Sequence, residues 1–336
     1  MPKSIQSLLK YLLFLAIGAG LMYWAYKDVN WVSIKQSLSN AHWGYAVLAL
    51  VLNYSATVYR GFRWNTLLQP LGYKADRWAC AHSVAFGYLM NDLIPRSGEV
   101  ARCTLLNRAE GVPVDKLIGT VILERIVDVV MLLVCIVVAL IVKNNEVLHL
   151  FSFIDGQKAQ LIGILLIVGI LGVIAVFRYI KYFRRFKVIA AIEGFLIGIV
   201  SGLRSVFLMR DKWPFIGWTL AIWGTWVIMS QAMMWTLSET SHLQLDDALF
   251  LMVAASFGML VPTQGGLGSY HYMSMLGFIA LGFANADDPM KSDIGLMFAM
   301  ISWSGKTILE LTLGAIGFFI VTRYKIKAKN QMTAEI

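Results

Sequence analysis

The sequence predicts an all-α polytopic membrane protein, with six full transmembrane helices and two opposed re-entrant helical hairpins that form an inverted repeat. Three observations predict this fold class. Hydrophobic residues make up 58% of the 336 residues and charged residues only 15%, which is too apolar for a soluble domain. Several apolar runs approach the roughly 20 residues that span a bilayer. Two further apolar regions are interrupted by proline and glycine in a similar order.

The apolar length and the flanking residues predict six membrane spans within a single integral membrane domain, residues 1–336. The first apolar run resembles a secretory signal, but a chain that returns to the membrane so often seldom loses its first anchor, so we expect an uncleaved span. The six predicted spans are residues 8–26, 43–60, 118–142, 161–178, 214–237 and 294–321.

The basic residues predict the orientation of these spans. Under the positive-inside rule, connectors rich in Lys and Arg lie in the cytoplasm, so we expect both termini on the cytoplasmic side of the plasma (inner) membrane. The same rule favours an interfacial amphipathic helix, rather than a span, over 188–210. The basic positions used are Lys3, Lys10, Arg60, Arg63, Lys74, Arg77, 178–187 and 323–329.

Two weaker apolar regions, about 78–109 and 247–283, contain "FGYLMNDLIPRSGE" and "FGMLVPTQGGLGSYH". Both run Phe-Gly-x-Leu, then an aliphatic residue, a proline and a turn of small residues, although the second is four residues shorter. Such breaks predict two half-helices joined by a polar turn at membrane depth. The first would enter from the cytoplasm and the second from outside, as in inverted-repeat transporters. The alternative is a pair of interfacial loops beside kinked helices.

Charged residues inside the predicted spans indicate a buried polar site. Glu124, Arg125 and Asp128 lie within two turns of the third span, and Lys306 and Glu310 are four residues apart on the sixth. Unpaired charges in hydrocarbon cost several kcal/mol, so these groups are expected to face the interior and to pair. One expected pair joins Lys306 to Asp128 or Glu124. Ion pairs with a purely structural role are the alternative.

The stretch "NDLIPRSGEVAR" combines a helix break with two arginines. A helix that starts at Gly98 presents backbone amide donors and a positive dipole end, and Arg96 and Arg102 can add charge-assisted hydrogen bonds to phosphate oxygens. Glu99 can hold Arg102 in an i,i+3 pair until a substrate competes. The alternative is a surface cap with arginines that serve orientation alone.

His271 follows the second break and is one of five histidines. A hydrogen-bonded interfacial histidine is the plainer interpretation, while the sharper hypothesis is that His271 changes charge near neutral pH and couples protons to transport. The three cysteines, Cys80, Cys103 and Cys135, have neither paired spacing nor a histidine cluster, so we expect small packing residues rather than a disulfide framework or a metal site.

In order and spacing these motifs resemble the transmembrane domain of the lysylphosphatidylglycerol synthetase family, also called flippase-like proteins. The resemblance covers nearly the whole chain and implies an integral lipid translocase fold with two re-entrant hairpins. The chain departs from the family pattern at Gln264, where proline is frequent, and at His271, where an acid is frequent. The residues that carry the resemblance are Asn91, Pro95, Gly98, Glu99, Arg102, Glu124, Arg125, Asp128, Pro262 and 265–268.

The resemblance therefore implies a translocase that moves an anionic or zwitterionic phospholipid, or a polyprenyl-phosphate-linked lipid, between leaflets. Synthetases of the family carry a soluble aminoacyl-transfer domain after the membrane part, and the sequence given stops just past the last predicted span, so lipid lysylation is not expected. We expect membrane lipids as the partner and no cofactor. The charge of +9 lies in connectors without a nucleic-acid recognition motif, so we expect no nucleic acid.

Two other functions stay open from the sequence. An intramembrane enzyme acting on a lipid phosphate could use Glu99, Glu124 and Asp128 as acid–base groups, although no metal-binding motif accompanies them. A small-ion channel or an assembly partner is the other. The predicted substrate-binding residues are Arg96, Glu99, Arg102, Glu124, Arg125, Asp128, Gln264, His271, Lys306 and Glu310.

Overall fold

The computed structural model describes residues 3–27, 29–152 and 212–334, and these residues form helices without any β-strand, as the sequence predicts. The predicted span 161–178 and the predicted interfacial helix 188–210 lie outside the described residues. The helices are α1 (Lys3–Tyr26), α2 (Trp31–Ser39), α3 (Trp43–Leu68), α4 (Arg77–Leu93), α5 (Gly98–Glu110), α6 (Val114–Val142), α7 (Asn144–Ser152), α8 (Lys212–Thr236), α9 (Leu245–Leu260), α10 (Ser269–Ala280) and α11 (Asp293–Ala334).

Two of the described helices are long and apolar enough to cross a membrane by length and composition, namely α6 over Val114–Val142 and α11 over Asp293–Arg323. Helix α1 contains a shorter apolar stretch, Leu15–Tyr26. Exposed large hydrophobic residues cover the outer faces of these helices, for example Ile141 and Ile308. In a membrane protein that surface meets lipid chains rather than water.

The predicted span 43–60 is shorter than the helix that contains it. Helix α3 continues to Leu68, whereas the sequence placed the end of this span at residue 60. Arg60 and Arg63 were interpreted as a cytoplasmic flank, yet both lie inside the helix and both are buried. Their charges do not end the helix because each arginine is paired with an acid on α6. The short helices α2 and α7 were not predicted.

The helices pack in a bundle with two principal apolar clusters. Helix α8 packs along α3, and α11 packs along α4. One cluster lies between α8, α9, α10 and α11 and includes Met234, Leu251 and Phe278. The other joins α3, α4, α5 and α6 around Trp64 and Leu117. All three cysteines are buried and free, which confirms that they are packing residues.

Two pairs of short helices, α4–α5 and α9–α10, begin near opposite ends of α3. Helices α4 and α5 begin next to the C-terminal end of α3, where Asn65 donates a hydrogen bond to the carbonyl of Ala75 at 2.7 Å. At the other end of α3, the amide of His42 donates to the carbonyl of Thr236, the last residue of α8, at 2.8 Å, and α9 begins nine residues after Thr236.

Lys143 ties the start of α9 to the end of α6. Its Nζ lies 2.6 Å from Asp247 and 3.1 Å from Asp246. Burial alone would lower the pKa of Lys143, but the hydrogen bonds with the two aspartates raise it above its ordinary value. Burial alone would raise the pKa of Asp246, but the hydrogen bond and the charge of the same lysine lower it below its ordinary value. The pair stays charged at neutral pH and fixes one end of the α9–α10 pair.

The two helical pairs make the same backbone contact. In the first pair, a Cβ on Gly98 would collide with the carbonyl oxygen of Gly87, and in the second, a Cβ on Gly258 would lie 2.5 Å from the carbonyl oxygen of Ser269. The contacting residues are eleven positions apart in both pairs. The four-residue difference between the sequence motifs lies in the segment between the contacting residues. Helix α4 continues to Leu93 after Gly87, which is one helical turn further than α9 continues after Gly258, and the turn that follows α4 is shorter by the same amount.

Candidate functional site

The first helix break is closed by side chains. Helix α4 ends at Leu93 and α5 begins at Gly98. Asn91 accepts a hydrogen bond from the Gly98 amide at 2.8 Å, and the Ser97 hydroxyl donates to the Met90 carbonyl at 2.8 Å. Arg96 adopts a φ of 62°, a left-handed conformation that non-glycine residues rarely take. This conformation leaves the Arg96 side chain exposed, at the edge of a cavity.

The second break reaches the first. After α9 ends at Leu260, a short 3-10 turn, Gln264–Gly266, brings Gly265 against Asp92 of α4, so closely that a Cβ on Gly265 would collide with Oδ1 of Asp92. Trp303 of α11 donates from Nε1 to the Gly265 carbonyl at 2.8 Å. The two interrupted helical pairs therefore meet in the middle of the bundle.

A cavity of about 790 Å³ lies between the two breaks. One part of its wall is charged or polar, and the other part is apolar and aromatic. A site with both kinds of wall suits an amphipathic ligand. The polar wall includes Tyr88, Asn91, Asp92, Arg96, Glu99, Arg125, Asp128, Lys306 and Glu310. The apolar wall includes Ala49, Leu132, Trp223, Trp226, Met233, Leu251, Met259 and Phe298.

Arg102 joins two carboxylates behind the first break. Its guanidinium lies 2.8 Å from Glu99, three residues away on α5, and 2.7 Å from Glu124 on α6. The i,i+3 pair between Glu99 and Arg102 is therefore present, as the sequence predicts. Arg125 forms a further ion pair with Glu99 at the cavity wall. The indole ring of Trp64 lies 4.7 Å from the Arg102 guanidinium carbon and adds a cation–π contact.

Two arginines of α3 extend this network. Arg63 lies 3.5 Å from Glu124 and 2.7 Å from Asp128. Its side chain is 0% exposed and that of Glu124 only 2% exposed, so neither charge is tolerable without its partner. Arg60 pairs with Asp128 and donates to the Tyr88 hydroxyl at 2.6 Å.

The network carries more positive than negative charge. Four arginines face three carboxylates, which leaves one positive charge unmatched within the group, and Arg96 adds a second at the cavity edge. A positive excess beside a cavity favours an anionic group of a ligand. The seven members are Arg60, Arg63, Arg102, Arg125, Glu99, Glu124 and Asp128.

A separate cluster lies where the two breaks meet. Lys306 of α11 contacts Glu310 at 2.8 Å, as the four-residue spacing predicts, and Asp92 at 3.7 Å. The expected pairing of Lys306 with Asp128 or Glu124 is wrong. Those two acids are already held by Arg60, Arg63 and Arg102.

The ten predicted substrate-binding residues fall into three groups by their position relative to the cavity. Six line the cavity, whereas Arg102 and Glu124 lie behind its wall and hold the lining residue Glu99 and the arginine network in place. Gln264 and His271 are buried and do not line the cavity. The six lining residues are Arg96, Glu99, Arg125, Asp128, Lys306 and Glu310.

His271 is enclosed by aromatic rings. The ring centroids of Tyr26, Tyr270 and Trp303 lie 5.8, 6.0 and 5.5 Å from its own, its side chain is buried, and neither ring nitrogen has a hydrogen-bond partner among the described residues. In the part of the chain that the structure describes, no acid pairs with the imidazole, so these surroundings favour a neutral ring. They give no support to the hypothesis that His271 carries a proton to the cavity.

Sequence reasoning missed four site residues: Tyr88, Asp92, Arg60 and Arg63. Arg60 and Arg63 carry a signal that points to the site, since two arginines three residues apart within an apolar helix require buried partners. Asp92 follows Asn91 at the end of α4, but the pattern of this stretch draws attention to its arginines. Among the described residues, no cluster of His, Cys, Asp or Glu could hold a metal ion.

The fold and the site define a class: an all-helical membrane protein with a charged central cavity between two interrupted helical pairs. The chain belongs to the family described as the lysylphosphatidylglycerol synthase TM region, which it matches over residues 11–287. It is also 30% identical, over 94 residues, to a membrane protein of the UPF0104 group from Methanocaldococcus jannaschii. That alignment covers 27% of this chain and 28% of the relative. No solved structure matched the chain.

Proposed function

We propose that the protein is a lipid translocase that moves an anionic or zwitterionic phospholipid, or a polyprenyl-phosphate-linked lipid, between membrane leaflets. The central cavity is the observation that carries the proposal. Its wall joins arginines and acids at one side to tryptophan, methionine and leucine side chains at the other. A lipid presents the same two parts, a charged head group and apolar chains. The family name, which refers to a lipid synthase, is consistent with a lipid ligand.

In this proposal the head-group phosphate is held by Arg96 and Arg125 at the cavity wall. Arg96 is exposed and has no ion-pair partner among the described residues, so it can donate to a ligand at little cost. Within the described residues, Arg125 is paired with Glu99 and has one more distant contact, with Asp128 at 3.8 Å. A phosphate can replace that carboxylate, while Arg102 retains Glu99.

The proposed membrane arrangement is the one that the sequence predicts: six spans, two re-entrant pairs that enter from opposite sides, and both termini in the cytoplasm. Helices α3 and α8, with 26 and 25 residues, exceed the roughly 20 that a span requires. The α4–α5 pair begins beside one end of α3, and the α9–α10 pair follows α8, which ends beside the other, and this arrangement supports the opposed entry. In this proposal the protein lies in the plasma (inner) membrane, and the basic connectors support a cytoplasmic side for the α4–α5 pair.

A leaflet-exchange assay tests the proposal. Purified protein is reconstituted in liposomes that contain a fluorescent anionic phospholipid, and the rate at which inner-leaflet lipid becomes accessible to a membrane-impermeant quencher is measured. Arg96→Ala is expected to slow exchange about tenfold, since a charge-assisted hydrogen bond contributes about 1.5–3 kcal/mol and 1.4 kcal/mol is tenfold in rate. Arg108→Ala, which removes an exposed arginine of the same α5 helix outside the cavity, is the matched control and is expected to have no effect.

The two other functions give different outcomes in the same liposomes. Chemically altered lipid, found by mass spectrometry, would replace the translocase with an enzyme acting on the lipid phosphate. Ion flux without lipid exchange would replace it with a channel. Unchanged lipid exchanged at equal rates by wild type and the Arg96→Ala variant would leave the translocase but remove the phosphate site.

A further inference from the structure

The cluster of Asp92, Lys306 and Glu310 contains two acids and a single base. Nζ of Lys306 lies 2.8 Å from Oε2 of Glu310 and 3.7 Å from Oδ1 of Asp92. The Asp92 and Glu310 side chains are only 6% and 7% exposed, and that of Lys306 is 30% exposed. A single ammonium group therefore bridges two carboxylates that are almost fully buried.

With all three groups ionised, the cluster carries one uncompensated negative charge. Burying such a charge is costly unless it is neutralised. Oδ2 of Asp92 is buried and has no hydrogen-bond partner among the described residues, whereas Oδ1 faces Lys306. Two close carboxylates commonly share one proton, because both cannot ionise cheaply together. Oδ2 is the free atom on which such a proton would reside.

Apart from Arg96, the cations that line the cavity around the cluster are already paired with other acids. Arg60 of α3 lines the same cavity but is held by Asp128 and by the Tyr88 hydroxyl. Tyr88, on the same helix as Asp92, and Tyr270, on α10, also line this cavity. Lys306 is thus the cation nearest to Asp92, and its Nζ lies closer to Glu310, at 2.8 Å, than to Asp92, at 3.7 Å.

Arg125 also lines the cavity but is paired with Glu99, so Arg96 is the remaining cation near the first break. It lies in the turn that follows α4, and it is exposed rather than buried. The proposed phosphate engages this arginine when lipid is bound, so it does not offset the negative charge at Asp92.

The position of Asp92 links the cluster to the contact between the two breaks. Its carboxylate lies against Gly265, whose carbonyl accepts the Trp303 hydrogen bond from α11. Lys306 lies on the same helix as Trp303, three residues later. A change of charge at Asp92 therefore acts on the place where α4, the second break and α11 meet.

We propose that Asp92 and Glu310, bridged by Lys306, bind one proton, and that this proton crosses the membrane with each lipid; the coupling rests on the proposed translocase function. The proton is taken from water on one side onto a carboxylate oxygen and returned to water on the other, so only O–H bonds form and break. With an anionic lipid of charge −1, the step is electrically neutral. The proton neutralises the cluster and allows the two breaks to separate.

Proton flux measured together with lipid exchange tests the coupling. Liposomes that contain a trapped pH-sensitive dye are loaded asymmetrically with an anionic phospholipid, and wild-type protein is expected to move protons along with lipid. Asp92→Asn and Glu310→Gln, which keep shape and remove the charge, are each expected to reduce proton movement at least about tenfold. Asp115→Asn, which alters an exposed acid at the start of α6, is the control and should leave proton and lipid movement at the wild-type level. Lipid exchange by wild type without proton movement would overturn the coupling.

Infrared difference spectroscopy of the purified protein tests the proton site without any transport. Between about pH 6 and pH 9, exposed carboxyl groups, with ordinary pKa values near 4, stay ionised, so a carboxylic-acid C=O band lost over this range reports a buried protonated acid. We expect wild type and Asp115→Asn to show this band at the lower pH and to lose it at the higher pH. Asp92→Asn and Glu310→Gln are expected to lack the band throughout. A wild-type protein without the band, or variants that retain it, would overturn the site. If no protein moves lipid, the proposed function fails while this spectrum still decides the proton site.

Discussion

At the residue scale, the buried arginines determine the character of the site. Arg63 is fully buried between Glu124 and Asp128, at distances of 3.5 and 2.7 Å. Removing one member leaves its partners charged without compensation, which costs more than the pair contributes. The network is thus a rigid support for the cavity wall, and its members are less free to bind substrate than the exposed Arg96.

Replacing Arg63 by methionine is expected to lower the free energy of unfolding by about 3–5 kcal/mol, because Glu124 and Asp128 lose a buried counter-charge. Chemical unfolding in detergent, followed by circular dichroism, measures the loss. Arg108→Met, on the exposed face of α5, is the control and should change the value by less than about 0.5 kcal/mol.

The double variant Arg63→Met with Asp128→Asn is expected to lose less than the two single variants together, since each single change strands the other partner. Strictly additive losses would show that Arg63 and Asp128 do not interact.

The sequence reveals the kind of residue in the site more reliably than its partners. Glu124, Asp128 and Glu310 stand out as acids within apolar spans, and all three are buried or line the cavity. Arg60 and Arg63 carry the same signal, but they are near a basic connector, and the positive-inside rule offers a second explanation for them. Only the three-dimensional packing of α3 against α6 separates the two explanations.

At the element scale, the broken helical pairs depend on close backbone approach. Gly98 of α5 contacts the backbone of Gly87, and Gly258 of α9 contacts that of Ser269. The sequence predicted both breaks from proline and glycine, and α4–α5 and α9–α10 are indeed interrupted at these positions. Gly87 and Gly258, which the Phe-Gly-x-Leu motif aligns, occupy equivalent places, but the sequence could not show that they contact Gly98 and Ser269, because proline marks where a helix ends and not where two helices touch.

Alanine at Gly98 or at Gly258 is expected to lower stability by about 1–3 kcal/mol, because the added methyl group meets backbone atoms that cannot move aside. Lipid exchange should slow in both variants. Gly119→Ala is the matched control, since a Cβ at this helical glycine of α6 meets nothing within 4 Å. There the change should be neutral or stabilising by up to about 1 kcal/mol. Thermal unfolding in detergent measures all three, and equal effects at the three glycines would contradict the close-contact argument.

At the scale of the whole molecule, contacts between distant segments bring the two breaks together. Asp92 of α4 lies against Gly265 more than 170 residues later, and Lys306 of α11 reaches Asp92. The weak repeat in the sequence predicts two similar units, and the contacts at opposite ends of α3 agree with opposed entry. Which acid meets which base follows from the packing of α11 on α4, which no local pattern indicates.

The central claim is that the two interrupted helical pairs enter the membrane from opposite sides and meet at the charged cavity. Single cysteines at Arg108, after the first pair's break, and at Ser241, just before the second pair, test it most directly, since both positions are exposed. The background lacks the three native cysteines, and intact cells or oriented vesicles are treated with a membrane-impermeant thiol reagent. We expect Arg108→Cys to be labelled only from the cytoplasmic side and Ser241→Cys only from the opposite side. Labelling of both cysteines from the same side would contradict the account.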